Sequence, residues 1–140
     1  MTVQEYLNQI RRLDTMIKDN EEELVRLESR ATRITKQIKP VVVKGGKSSD
    51  NVGDAVSSII DTEEEIKSLI KTLQRKKRKI KSQIEGMDDF RHYQVLSKRY
   101  LYFYTFDEIA YQLEYSVSWV KKTHQKALEE FEKQYAKSIK

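Results

Sequence analysis

Two stretches of this chain space their apolar residues alternately three and four apart, the heptad rhythm that only a helix buried along one seam satisfies. In the first, Val3, Ile10, Ile17, Leu24, Ala31 and Ile38 form one column and Tyr6, Leu13, Leu27 and Ile34 the other, with Asn20 as a polar intruder. The second carries Val56, Ile59, Ile66, Ile70, Leu73, Ile80, Ile84 and Met87, interrupted at Glu63 and Lys77. A stripe of this kind buries itself only against another helix, so each stretch needs a partner. Between them Pro40 discourages helix in Lys39, Gly45-Gly46 loosens the backbone, and Ser49 or Asp50 is placed to cap the second helix.

That loop lets the two helices fold back antiparallel, with Ile34 facing Val56 and Ile10 facing Ile80. Pairing between chains, or two hairpins forming four helices, fits the same pattern. A lone two-helix hairpin leaves much of each stripe wet, so self-association, with a dimer favoured, is the expectation.

Composition marks where this architecture stops. Of 13 aromatic residues, 12 lie after position 88, Tyr6 being the exception. Large rings close the core of a small domain because each buries a large area. The expected fold is therefore all-α. A long antiparallel coiled-coil hairpin over 1–87, with its loop at about 39–50, serves oligomerisation. A small three-helix domain occupies 88–140. Gly86 ends the second long helix, Asp88 or Asp89 caps the next, and a hinge is expected between them.

Within 88–140 the first helix runs from Phe90 to Leu101 with Val95, Leu96 and Tyr100 inward, leading into a Tyr102-Phe103-Tyr104 connector. Thr105 and Glu108 form a capping box for a second helix with Ile109, Ala110 and Leu113 on its apolar face. The turn is Glu114-Tyr115-Ser116, with Tyr115 plugging the angle between helices. Ser116 caps a third helix from Val117 to about Glu132, burying Val120, Ala127, Leu128 and Phe131. This spacing, from Ile109 through Val120, is the apolar skeleton of a helix-turn-helix.

The expected partner is double-stranded DNA. Val117, Ser118, Trp119, Lys121, Lys122 and Gln125 face outward on the third helix. Ser118 and Lys121 are placed for base edges in the major groove, with Gln125 at the margin. Lys122, Lys126 and Arg99 suit phosphates, as do the free N–H groups beside Ser116. Two positions depart from the common pattern: Glu114 stands where glycine is commonest, and Thr123 where a larger aliphatic packs.

The stretch Arg91-His92-Tyr93-Gln94-Val95-Leu96, Arg99-Tyr100, Phe106-Asp107-Glu108-Ile109-Ala110 and Val120, His124, Lys126-Ala127-Leu128 resembles sigma-factor region 4. More of the chain, including Asp54-Ala55-Val56, Ile59-Ile60-Asp61 and Glu63, resembles phage-type transcriptional regulators of Gram-positive bacteria, the ArpU and RinA type of late-gene activators. That resemblance implies promoter-proximal, sequence-specific DNA binding and extends to contact with RNA polymerase. The rival readings are a small-terminase-like DNA-packaging recognition subunit and a helix-turn-helix that binds a polymerase subunit or regulator.

Other chemistry finds little support. Arg75-Lys76-Lys77-Arg78-Lys79-Ile80-Lys81 covers every face of its helix and is read either as a solvated helix end favoured by the helix dipole or as a phosphate contact. His92 and His124 stand apart without Cys, so no metal and no cofactor is expected. Asp88-Asp89 and Asp107-Glu108 read as caps rather than acid–base pairs, and Tyr102 and Tyr104 as core residues. No nucleophile cluster or phosphate-cradling motif points to an enzyme. The absence of Cys suggests a cytoplasmic setting. No apolar run approaches the ~20 residues of a membrane span. A net charge of +5 accords with a polyanionic partner.

Overall fold

The computed structural model describes residues 1–37 and 47–140, and side chains over 1–36 and 52–140. Those residues are helical apart from short connections: α1 (Val3–Leu7), α2 (Gln9–Gln37), α3 (Lys47–Glu85), α4 (Phe90–Leu96) continued by a π-helical turn (Ser97–Leu101), α5 (Phe106–Leu113) and α6 (Val117–Ile139). The all-α expectation holds, and α2 and α3 pack together as the long helix pair. The loop reading of Pro40 and Gly45-Gly46, and the seam position Ile38, lie outside the described residues. One capping expectation fails: α3 opens at Lys47, so Ser49 and Asp50 sit inside the helix rather than ahead of it.

The chain divides into two compact units, and the division differs from the one expected at residue 87. Unit 1 joins Met1–Asp14 to Thr72–Lys140, and unit 2 is Thr15–Lys71. The physical reason is a shared core. Tyr6, Leu7, Ile10, Ile80, Ile84, Leu96 and Phe131 bury themselves in one cluster, so both ends of the heptad region close the core of the small C-terminal domain. The Tyr6 hydroxyl donates to Gln83 Oε1 at 2.6 Å, and Gln83 Nε2 in turn donates to Ser138 Oγ at 3.0 Å. Lys76 Nζ donates to Gln9 Oε1 at 2.6 Å. Ile10 and Ile80, expected to face each other, share this core.

Unit 1 also revises the hinge. Gly86 is held: Gln134 Nε2 donates to its carbonyl at 3.0 Å, and a Cβ there would meet the Tyr135 hydroxyl at 2.7 Å. Met87 beside it is buried. The third helix of the C-terminal domain runs to Ile139, past the expected end near Glu132. Non-helical angles at Tyr135 (φ −122°, ψ 27°) break it, and Ile139 is buried in the same core. At the other end Thr2 and Glu5 form a capping box that opens α1.

In unit 2 the α2 seam is as expected, with Ile17 buried and Asn20, Leu24, Leu27, Ala31 and Ile34 half-buried. Asn20 turns its amide to its own helix, donating to the Met16 carbonyl at 2.8 Å. The α3 seam is shifted. Ala55 is buried and Ile59, Thr62, Ile66 and Leu69 are half-buried, whereas Val56, Glu63 and Ile70 are exposed. Glu63 therefore does not interrupt a seam; Thr62 occupies it. Leu27 and Arg30 line one small cleft with Asp54, Ala55 and Ser58, so the antiparallel register here is displaced from the Ile34–Val56 pairing, in which Arg30 would face Ile60 and Leu27 would face Glu63. In unit 1 the same shift exposes Lys77 and half-buries Lys76.

Candidate nucleic-acid interface

The helix-turn-helix is built by its caps and a small core. Thr105 Oγ1 accepts from Glu108 N at 3.2 Å and the Glu108 carboxylate accepts from Thr105 N at 3.3 Å, which closes the first turn of α5. Ser116 Oγ accepts from Trp119 N at 3.1 Å and opens α6. Asp89 caps α4, its Oδ1 accepting from Arg91 N at 2.9 Å. Two of the acidic pairs are thus used for capping, as expected. Val95, Ile109, Ala110 and Val120 form the buried core, with Tyr104, Phe106, Leu113, Val117 and Trp119 packed around it. Ala110 is small enough for α6 to cross closely above it.

Between α5 and α6 the chain reverses through Glu114 in the left-handed region (φ 60°, ψ 38°). That is the conformation for which glycine is the ordinary choice, because a Cβ crowds the backbone there. Tyr115 N then donates to the Ala110 carbonyl at 3.0 Å and completes the turn. Tyr115 itself does not plug the interhelix angle. It is exposed and stacks on Trp119, with ring centroids 3.8 Å apart and planes 14° from parallel.

Helix α6 is divided cleanly by face. Val120, Thr123, His124, Ala127, Leu128 and Phe131 are buried. Ser118, Lys121, Lys122 and Gln125 are exposed, and their spacing of three, one and three places them on one stripe. Lys126 is exposed beside it and Ser116 begins it. The structure therefore brings together the polar residues expected at the interface. Val117 and Trp119 are half-buried against the core rather than fully outward.

Arg99 is placed differently. Its Nη1 donates to the Tyr104 carbonyl at 3.1 Å and its guanidinium lies 4.4 Å from the centre of the Phe106 ring. Those contacts tie the π-helical turn to the start of α5. Arg91, absent from the residues expected at the interface, lines a cleft of about 150 Å³ with Trp119, Thr123 and Lys126. Its signal in the sequence is a cation two residues after a capping aspartate.

The two histidines hold the domain together. His92 Nδ1 contacts the Glu130 carboxylate, and its Nε2 lies 3.6 Å from Asp89 Oδ2. His124 Nε2 shares a 2.7 Å hydrogen bond with the Tyr100 hydroxyl, and the Phe106 ring meets its imidazole edge-on. Burial first, and then the charge of Arg99, push His124 down to about 4, so it is neutral near pH 7. Burial also pushes Tyr100 up to about 12. Tyr102 departs from the core role expected of it, being 60% exposed, whereas Tyr104 packs beside the small core.

Charge is segregated between the units. Unit 1 holds 17 Lys and Arg against 11 Asp and Glu, and unit 2 holds 10 against 11. Among the described residues no helix is long and apolar enough to cross a membrane.

Residues 34–132 match the family model DUF1492, described as a protein of unknown function. The chain belongs to the DUF1492 family. The matched region takes in the whole of α3 and of the capped α4–α5 unit, and it ends within α6, past the exposed stripe. Neither the curated proteins nor the solved structures contain a match to this DUF1492 chain.

Proposed function

We propose that this DUF1492 protein is a sequence-specific DNA-binding transcriptional regulator of the phage or prophage late-gene activator type, reading the major groove with the first turns of α6. One observation carries the reading. Ser118, Lys121, Lys122 and Gln125 form an exposed polar stripe on a helix whose opposite face is fixed by a capped, left-handed turn. A major groove admits one helix, and a serine, two lysines and a glutamine supply donors and acceptors for base edges and phosphates. In this reading Ser118 and Lys121 meet bases, Gln125 lies at the margin, and Lys122 and Lys126 meet phosphates. Arg99 positions α5 rather than touching DNA. The excess of cations in unit 1 adds an attraction that is independent of sequence.

Self-association belongs to the proposal. Val56 and Ile60 are exposed one helical turn apart on α3 in unit 2 and supply an apolar surface for a second copy. A dimer presents two α6 helices and favours a two-part site with half-sites about one DNA turn, or a multiple of it, apart. Contact with RNA polymerase is the further part of the activator reading.

Two substitutions test it. Lys121→Ala weakens binding to the preferred duplex by about 1–3 kcal/mol and relaxes selectivity at one base position. Lys122→Ala weakens all duplexes alike and reduces the salt slope by about 1. Equal behaviour of the two variants, or no binding to any duplex at low salt, refutes the reading.

A further inference from the structure

The run Arg75–Lys79 has no role in the α6 interface, and the helix dipole does not account for it. The dipole acts within the last turn of a helix. The last turn of α3, which ends at Glu85, contains no basic residue. Lys81 is paired with Glu85 at 3.7 Å and Lys76 is bound to Gln9. Among the described residues, Arg75, Lys77, Arg78 and Lys79 have no carboxylate partner.

Two of these four cations, Arg75 and Lys79, border a concavity. Arg75, Lys76 and Lys79 stand around a cleft of about 410 Å³ whose apolar floor includes Ile80 and Ile139, with Gln9 as a polar wall. Ile80 is 1% exposed and Ile139 7%, so the floor is part of the packed core and holds its shape. Behind it the Tyr6–Gln83–Ser138 hydrogen bonds lock α1, α3 and the end of α6 together. A cleft with a packed floor, rimmed by the unpaired Arg75 and Lys79, is suited to receive phosphate groups.

We infer that this cleft is a second phosphate-binding site, and that its ligand is the phosphodiester backbone of nucleic acid, held without regard to sequence. The site lies at the far end of α6 from Ser116. The 23 residues of α6 span about 35 Å at ~1.5 Å each, so the two surfaces are distinct. The inference does not rest on α6 reading a base sequence, because backbone binding at Arg75 and Lys79 needs no specific site.

The full chain is titrated with a random-sequence duplex at several salt concentrations, with inorganic tripolyphosphate as the small-anion arm. Arg75→Ala/Lys79→Ala is expected to cut random-duplex affinity about tenfold and to reduce the slope of log K against log salt by about 2, at roughly 0.9 per phosphate contact. Both side chains are exposed, and an unchanged helical circular-dichroism spectrum excludes unfolding. The preferred sequence of the variant is expected to be unchanged. Wild-type slope and affinity in the variant overturn the inference. It is equally overturned if the substitutions abolish tripolyphosphate binding while leaving the duplex slope intact, or if they change only self-association. Lys121→Ala, measured alongside, reports on the other end of α6. Loss of sequence preference there and loss of salt slope here are separate readouts, so either reading can fail alone.

Discussion

At the scale of single residues, Glu114 and His124 each carry an energetic term that a single substitution can measure. Glu114 takes a left-handed conformation that costs a residue with a Cβ about 1–2 kcal/mol, and its carboxylate sits at the negative end of α5. Glu114→Gly removes both penalties and gains unfolded-state entropy in exchange. The net expectation is a stabilisation of about 1 kcal/mol in urea denaturation; a destabilised variant would show that the Glu114 side chain contributes contacts of its own. His124 is the second case. Folded, it is held near 4 by burial and by Arg99; unfolded, it returns to its ordinary 6.5. Because the folded value is the lower one, the unfolded chain takes up the proton first as pH falls. The stabilisation is whole above about pH 6.5 and is lost progressively towards pH 4, amounting to ~3 kcal/mol at most. Comparing wild type with His124→Gln by denaturation at pH 7 and pH 4.5 isolates this contribution. Parallel pH dependence in the two proteins would contradict it.

At the scale of elements, legibility depends on how many apolar choices each position offers. The α2 seam is readable because Ile17, Leu24, Leu27 and Ile34 have polar or small neighbours on one side or both, leaving one column that works. On α3, Ala55-Val56, Ile59-Ile60 and Leu69-Ile70 are adjacent apolar pairs, and only contact with α2 decides which member turns inward. Choosing the larger residue at the first pair displaces the column and makes Glu63 and Lys77 look like interruptions. The observed seam predicts that Leu69→Ala costs about 1–2 kcal/mol more than Ile70→Ala, since lost burial sets the penalty. Equal costs would restore the other register. The cap at Thr105 is readable because Thr-x-x-Glu is a local signal, and the same signal stands at Thr2, hidden there by the heptad pattern that overlaps it. The stack of Tyr115 on Trp119 and the last turns of α6 depend on where the chain folds back, and no local pattern announces them.

At the scale of the whole molecule, the change is in what the heptad ends do. Sequence periodicity presents residues 1–87 as one extended element, yet Tyr6, Ile10, Ile80 and Ile84 close the core beneath α6. Gly86 is accordingly a packing position. Gly86→Ala drives a methyl against the tip of the Tyr135 side chain, which must give way, and is expected to lower the melting temperature of unit 1 modestly, at an overpacking cost of about 1 kcal/mol. A variant as stable as wild type would return Gly86 to the role of a free hinge. The excess of cations lies in unit 1, the same unit as the exposed α6 stripe, and in the proposed function it is this unit that attracts the polyanion while unit 2 serves association between copies.

The central claim is that the α6 stripe reads sequence. Selection of bound duplexes from a random pool, run in parallel on wild type and Lys121→Ala, tests it most directly. The account predicts one enriched motif for the wild type and loss of preference at one or two of its positions in the variant. A wild-type pool that stays random at every salt concentration, or a motif that Lys121→Ala leaves intact, would contradict it.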